Sequence, residues 1–356
     1  MADQLITDTA QITVGWLERV LRRSGALRAG AIDGFDLQAE PAAWSRSVRL
    51  RVRYTQDATG TLPTALFLKL CGGDEFGPSE VEYYTRDYRG LDDAALVRCY
   101  DAGYRDDPRG YHLLLDDLSP THADCREAAV TTDLVTALAD AVAALHAHRW
   151  NAAQLRPIGA AQPGATDIDR YLAHIARGLE PLLAIGGADV DPAWPPLLRE
   201  IFAHHPALIA ARCRDRDGIC LVHGDINPTN ILAPRAWPDR VYLLDRQPFD
   251  WSLRVWLGVS DLAYLMCSFW PESARREHEI AMLRQYHEGL LRRGVRGYGW
   301  DQLWADYRLS AVQAAYVAVE WGVLEADHER MRWLWSAELG RAMQAIADLE
   351  CRALWA

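Results

Sequence analysis

Leu221-Val222-His223-Gly224-Asp225-Ile226-Asn227-Pro228-Thr229-Asn230-Ile231-Leu232 is the stretch whose reading decides the fold. An apolar run enters a tight polar loop, and a second apolar run leaves it. Pro228 rules out a continuous helix through 225–231 and biases Asn227 toward extended geometry. Asp225 and Asn230 therefore sit on a loop held at both ends. Fifteen residues beyond Asn230, Asp245 ends another apolar run, Val241-Tyr242-Leu243-Leu244. A carboxylate, then an amide oxygen, then a second carboxylate after a strand is the residue set of a phosphoryl-transfer site. In that chemistry Asp225 accepts the proton of an attacking hydroxyl, and Asn230 and Asp245 offer oxygens to magnesium. His223 and Gly224 are expected to shape the turn. Asp261, in Ser260-Asp261-Leu262-Ala263-Tyr264, is expected to orient it through hydrogen bonds. The same residue types also build an ordinary polar hairpin with an Asx-turn, so the rest of the chain has to decide.

Lys69 supplies the strongest external argument. It is the only lysine among 38 basic residues, and the other 37 are arginine. Arginine replaces lysine well on surfaces, but not where a compact point charge is needed in a confined site. Lys69 lies inside the apolar run Leu66-Phe67-Leu68-Lys69-Leu70, where a charge has to be paired. A glycine-rich loop follows, then Ser79-Glu80-Val81-Glu82-Tyr83-Tyr84 opens a helix. Glu80 and Glu82 cannot share a helix face, and Glu80 is the expected partner. Lys69 then bridges a helix glutamate and nucleotide phosphates. A purely structural ion pair is the alternative.

The composition fits an ordinary globular protein. Half of the 356 residues are hydrophobic and 24% are charged, enough for two domains or one bilobed one. The formal charge of −11 disfavours non-specific nucleic-acid binding and mildly favours cationic partners. No apolar run reaches the roughly 18 residues of a membrane span. Met1 to Asp8 has neither a basic region nor an apolar core, so a cytoplasmic chain is expected. Seven cysteines show no C-x-x-C pair and read as reduced, buried thiols.

Along the chain, residues 12–22 read as an amphipathic helix with Thr13 as N-cap and Val14, Leu17, Val20 and Leu21 on one face. Val48, Leu50, Val52 and Tyr54 alternate with arginines, as in a half-buried strand. The loop 41–47 before it is where a phosphate-covering loop would fall, but it holds no glycine. Segments 97–103 and 111–115 read as strands joined by a turn. Asp116-Asp117-Leu118-Ser119-Pro120 then falls where a hinge between lobes would pair its backbone with adenine, which puts Asp116 and Leu118 at the nucleotide. From 127 onward helical patterns dominate: 131–148, 168–184, 196–213, and 274–293 with Gly294 as its stop. Residues 150–167 form a Gly/Pro/Ala-rich connector. His146 and His148 read as cap or core residues rather than ligands.

At these residues the chain resembles the aminoglycoside phosphotransferase and choline kinase superfamily, in particular the branch with ecdysteroid-kinase-like and other small-molecule phosphotransferases. His223-Gly224-Asp225 with Asn230 matches its His-Gly-Asp-x-x-x-x-Asn motif. Asp245 matches its metal aspartate, and Asp261-Leu262-Ala263 its later Asp-Leu-Ala. Leu115-Asp116-Asp117-Leu118-Ser119 is similar to its hinge, and Glu80-Val81-Glu82-Tyr83-Tyr84 to its helix motif. Gln285-Tyr286-His287 and Asp306-Tyr307-Arg308 also look familial. Two departures stand out: the glycine-free phosphate loop, and Arg246-Gln247 where many relatives carry tryptophan. Arg246 is left with three readings: a phosphate contact, an acceptor contact, or a pair with a neighbouring acid.

The resemblance implies an α+β, bilobed protein-kinase-like fold. A β-rich nucleotide lobe would span residues 1–116. A helical lobe, 117–356, would carry the catalytic loop 221–232, the metal loop 241–250 and the acceptor site. The expected reaction moves the γ-phosphate of ATP, or GTP, to a hydroxyl of a small molecule with Mg²⁺. Asp116, Asp117 and Glu288 are acidic candidates for a cationic acceptor. The rival readings are a kinase-fold binding protein without turnover and a protein kinase; no Ala-Pro-Glu segment supports the latter.

Overall fold

The computed structural model describes residues 4–41, 45–215, 217–247, 249 and 251–355, the side chains of 40 and 41 excepted. The chain forms two compact units. The first comprises residues 1–92, 96–123 and 232–250; the second comprises 93–95, 124–231 and 251–356.

The first unit is built on five antiparallel strands: β1 (Ile32–Pro41), β2 (Arg46–Tyr54), β3 (Ala65–Gly72), β4 (Cys99–Asp106) and β5 (Arg109–Asp116), in the order β1-β2-β3-β5-β4. Residues 42–44 of the expected phosphate loop lie outside the described residues. Strand alternation decides the rest, because successive side chains leave opposite faces. Val48, Leu50, Val52, Leu66, Leu68 and Leu70 pack against Trp16, Leu17, Val20 and Leu21 of the helix Val14–Arg23. Thr13 caps that helix by accepting from the Trp16 N–H. Phe67, Lys69 and Cys71 leave the other face, where Cys71 packs with Phe76, Tyr111, Leu113 and Leu115. The segment 232–250, expected with the helical half, belongs here. Its Leu232, Tyr242, Leu244 and Phe249 cover that second apolar cluster, and nothing in their local sequence distinguishes one set of apolar neighbours from another.

The second unit is mainly helical. Thr132–His148 packs on Glu272–Arg292, and Trp300–Glu320 on Arg332–Asp348. The helix expected at 274–293 ends at Arg292, with Gly294 in the left-handed region at φ 92°. The single helix expected over 168–184 is two, Ala165–Ala176 and Leu179–Gly186. They part at Gly178, where an added Cβ would stand 2.0 Å from the Val319 carbonyl oxygen. The close approach of two backbones sets that break, and periodicity does not report it. The connector 150–167 holds a short helix, Ala152–Leu155, capped by Asn151. Ile219–Leu221 and Val255–Leu257 form a buried antiparallel pair, which carries the polar loop at its end. No helix among the described residues is long and apolar enough to cross a membrane.

Candidate active site

In the helical unit the loop 223–230 is fixed from below by one buried carboxylate. Asp261 lies in the helix Val259–Tyr264. It accepts the His223 N–H at 2.7 Å on Oδ2 and the Gly224 N–H at 2.8 Å on Oδ1. His146 Nε2 stands 3.1 Å from Oδ2, and its Nδ1 stands 2.9 Å from the Tyr286 hydroxyl. A carboxylate only accepts, so His146 donates to Asp261 from Nε2. Burial alone would raise the Asp261 pKa. The His146 and His223 rings and the Gly224 N–H outweigh it and hold the acid below its usual range. Gly224 takes φ 81°, a conformation that costs a residue with a Cβ.

Asp225 projects from this loop with three side-chain donors around it. Oδ1 accepts from Asn227 Nδ2 and from the Tyr264 hydroxyl, both at 2.9 Å, and Oδ2 accepts from Asn230 Nδ2 at 3.0 Å. The Asn230 nitrogen also donates to the Asp225 carbonyl at 2.9 Å. The loop closes on itself through Asn227, whose Oδ1 accepts the Thr229 N–H and hydroxyl. Both readings of the sequence are therefore present at once: an Asx-type turn, and a rigid mount for Asp225 and Asn230. Asn227, Tyr264 and His146 were not among the expected site residues. Tyr264 was within reach of the sequence, because it sits three residues after Asp261 on one helical face. Glu338 was not. It is buried on Arg332–Asp348 and accepts from Trp321 Nε1 at 3.0 Å. Burial pushes its pKa up to about 8, helped by the charge of Asp225.

In the sheet unit Lys69 is buried, with 8% of its surface exposed. Its Nζ donates to Glu80 Oε2 at 2.8 Å and to Asp245 Oδ1 at 3.0 Å. Glu82 pairs instead with Arg86. Desolvation would lower the lysine pKa, but Asp245 and Glu80 hold it above its ordinary value, so the ammonium stays charged. Burial pushes Glu80 up while Lys69 pulls it back. Tyr111 donates its hydroxyl to the same Glu80 oxygen. Asp245 follows the strand Tyr242–Leu243 in the left-handed region at φ 56°, and its side chain is half exposed. Asp and Asn tolerate that region better than other residues with a Cβ. Arg246 is fully buried against Asp87, which selects the last of its three readings. The Asp116 carboxylate accepts from the Tyr100 hydroxyl, and Leu118 packs on the apolar cluster around Tyr111. Asp117 is buried beside Arg49 and Arg51, whereas Glu288 is exposed and lies 4.0 Å from Arg292.

Each unit separately offers an oxygen donor of the kind magnesium takes. Asn230 spends its nitrogen on Asp225, which leaves Oδ1 beside the Thr229 hydroxyl at 3.3 Å, and Asp245 presents a half-exposed carboxylate. Both are hard oxygen donors. Among the described residues no group of three or more His, Cys, Asp or Glu could hold a metal ion alone.

The fold is that of the kinase-like phosphotransferases. It matches glucosamine kinase, 15% identical, over 96% of this chain and 84% of that one, with a TM-score of 0.56. A second glucosamine kinase structure, in complex with glucosamine, ADP and inorganic phosphate, is 16% identical over 97% and 86%, at 0.55. Spectinomycin phosphotransferase, in complex with ADP and spectinomycin, is 11% identical over 96% and 99%, at 0.51. No protein-family model and no curated protein sequence matches the chain.

Proposed function

We propose that this chain is an ATP-dependent phosphotransferase that moves the γ-phosphate to a hydroxyl of a small molecule. The observation that carries the proposal is the mounting of Asp225. Three donors hold its carboxylate in one orientation, and Asp261 fixes the loop from a second element. Positioning and charge neutralisation make up most of phosphoryl-transfer catalysis. In this reading Asp225 accepts the proton of the acceptor hydroxyl. Asn230 and Asp245 would hold magnesium, which neutralises phosphate charge when bound. Lys69, kept charged by Glu80, orients the phosphates. The hinge around Asp116 and Leu118 receives the base of ATP or GTP. Glu338 lies within the field of Asp225 and Tyr264. A buried carboxyl there, ionised by an arriving ammonium, suits an acceptor that is a hydroxylated amine. The solved structures of similar fold with glucosamine and spectinomycin bound support a small-molecule acceptor.

The test is ATP consumption over a panel of hydroxylated amines, sugars and antibiotics, with Asp225→Ala in parallel. The variant should fold and lose about 10²–10⁴ in kcat, the range of general-base catalysis. Phosphorylation at the wild-type rate in Asp225→Ala would remove the proposed base. Labelling of a protein but of no small compound would favour a protein kinase. Binding without turnover would favour the non-catalytic reading.

A further inference from the structure

Arg246 and Asp87 are both fully buried, with side-chain exposures of 1% and 0%, and Arg246 Nη1 donates to Asp87 Oδ2 at 2.5 Å. A charge pair is a costly way to fill such a space, because desolvation offsets most of the attraction and two apolar side chains would do as well. Arg246 Nη2 is buried and has no hydrogen-bond partner among the described residues. The pair therefore calls for a reason other than stability.

Its position supplies one. The helix Ser79–Glu82 runs on into a π-helical turn, Tyr83–Asp87. Glu80, Tyr83 and Asp87, all buried, follow each other at spacings of three and four, which puts them on one face. Each grips a successive part of the same neighbourhood. Glu80 holds Lys69, and through it Asp245. The Tyr83 hydroxyl donates to the Leu243 carbonyl at 3.2 Å. Asp87 takes Arg246, whose guanidinium lies 5.9 Å from the Tyr83 ring centroid. Asp245 sits between the last two grips, in a left-handed backbone conformation that its neighbours have to maintain. On its other side Arg86 donates to Asp87 Oδ1 at 2.9 Å, so the acid is oriented before it meets Arg246.

We propose that Arg246 is a positioning residue: its buried pairing with Asp87 latches the Asp245 carboxylate to the helix that carries Glu80, so that the lysine-orienting and metal-binding groups hold one geometry. The inference rests on the phosphotransferase reading of Asp245. It concerns how the carboxylate is aimed; Arg246, buried against Asp87, acts through Asp245.

The experiment compares wild type, Arg246→Met, Arg246→Lys and the double variant Asp87→Leu/Arg246→Met. Arg246→Met removes the buried one of the two arginines that Asp87 faces, Arg86 remaining, and should lower Tm. The double variant removes both charges and should recover most of that loss. A latch predicts that recovered stability does not recover geometry. The Mg²⁺ concentration for half-maximal phosphoryl transfer should rise at least tenfold in the double variant and about threefold in Arg246→Lys. ADP titrations by calorimetry should show the same loss without turnover: affinity near wild type in EDTA, with the strengthening by Mg²⁺ reduced in the same order. Wild-type Mg²⁺ dependence in both assays for a folded double variant overturns the latch. If the double variant does not fold, wild-type Mg²⁺ dependence of Arg246→Lys overturns it alone. A wild-type chain that neither binds ADP nor transfers phosphate removes the phosphotransferase reading, and the latch with it.

Discussion

Asp261→Asn tests whether this carboxylate holds the loop 223–230. The native carboxylate receives two backbone N–H groups and one imidazole N–H on two oxygens, at 2.7–3.1 Å, from a site only 2% exposed. Asparagine keeps one accepting oxygen. Its amide nitrogen would point at a donor, either the Gly224 N–H or the pair formed by the His223 N–H and His146. A hydrogen bond to a charged group contributes about 1.5–3 kcal/mol, and a buried donor left unmet costs about 1–3 kcal/mol. The substitution should therefore cost roughly 3–5 kcal/mol. For a unit of roughly 200 residues that lowers Tm by about 6–20 °C, at roughly 2–4 °C per kcal/mol. Turnover should fall by more than tenfold at permissive temperature, because misplacing the loop by an ångström is enough for that loss. Differential scanning fluorimetry and an ATP-consumption assay read the two effects. Asp261→Asn with wild-type Tm and wild-type kcat would refute the role assigned to this carboxylate. The acid side gives a second check. The folded pKa of Asp261 lies below its ordinary 3.8. Its contribution is therefore complete above the unfolded value and is lost as pH falls through the folded one, so wild type and variant should converge in stability below about pH 4.

Lys69→Arg should stay folded but lose about 10²-fold in kcat, since a guanidinium cannot occupy the point between Glu80 and Asp245 that the ammonium fills; wild-type turnover in this variant would show that the lysine has no special place. Glu338 makes the opposite pH prediction to Asp261. Its pKa is raised from 4.5 to about 8, so the folded state holds the proton more tightly. Its stability contribution is full below the unfolded value and declines as pH climbs through that window. Glu338→Gln should therefore gain on wild type as pH rises, by on the order of 2 kcal/mol between about pH 5 and about pH 7.5. It should also raise KM for amine-bearing acceptors while leaving KM for ATP unchanged. A flat stability difference across that range would mean that Glu338 is not held neutral by its surroundings.

The solitary Lys69, the spacing of Asp225 and Asn230 and the apolar strand before Asp245 were legible in the sequence because each is a local pattern. Thr13 as a cap, the arginine-alternating strand and the stop at Gly294 belong to the same class. That Glu80 and Glu82 cannot both face the strand was legible too, and the family resemblance favoured Glu80. Residues whose meaning depends on distant chain were not legible. His146 lies 115 residues from Asp261, and Arg246 159 from Asp87. Glu338 reads as an unremarkable surface-type acid until burial raises its pKa. The break at Gly178 exists because the Val319 backbone passes within contact of it.

The sequence by itself determined the chemical types at the candidate site and, through the motifs they form, a family resemblance that implied the class of fold, because turn residues, strand alternation and an isolated lysine are properties of short segments. Only the tertiary structure decided which groups orient Asp225, what Arg246 pairs with, and which carboxyl beside the site carries a proton at neutral pH. Those outcomes depend on burial and on partners brought together across the chain, and no local pattern encodes either.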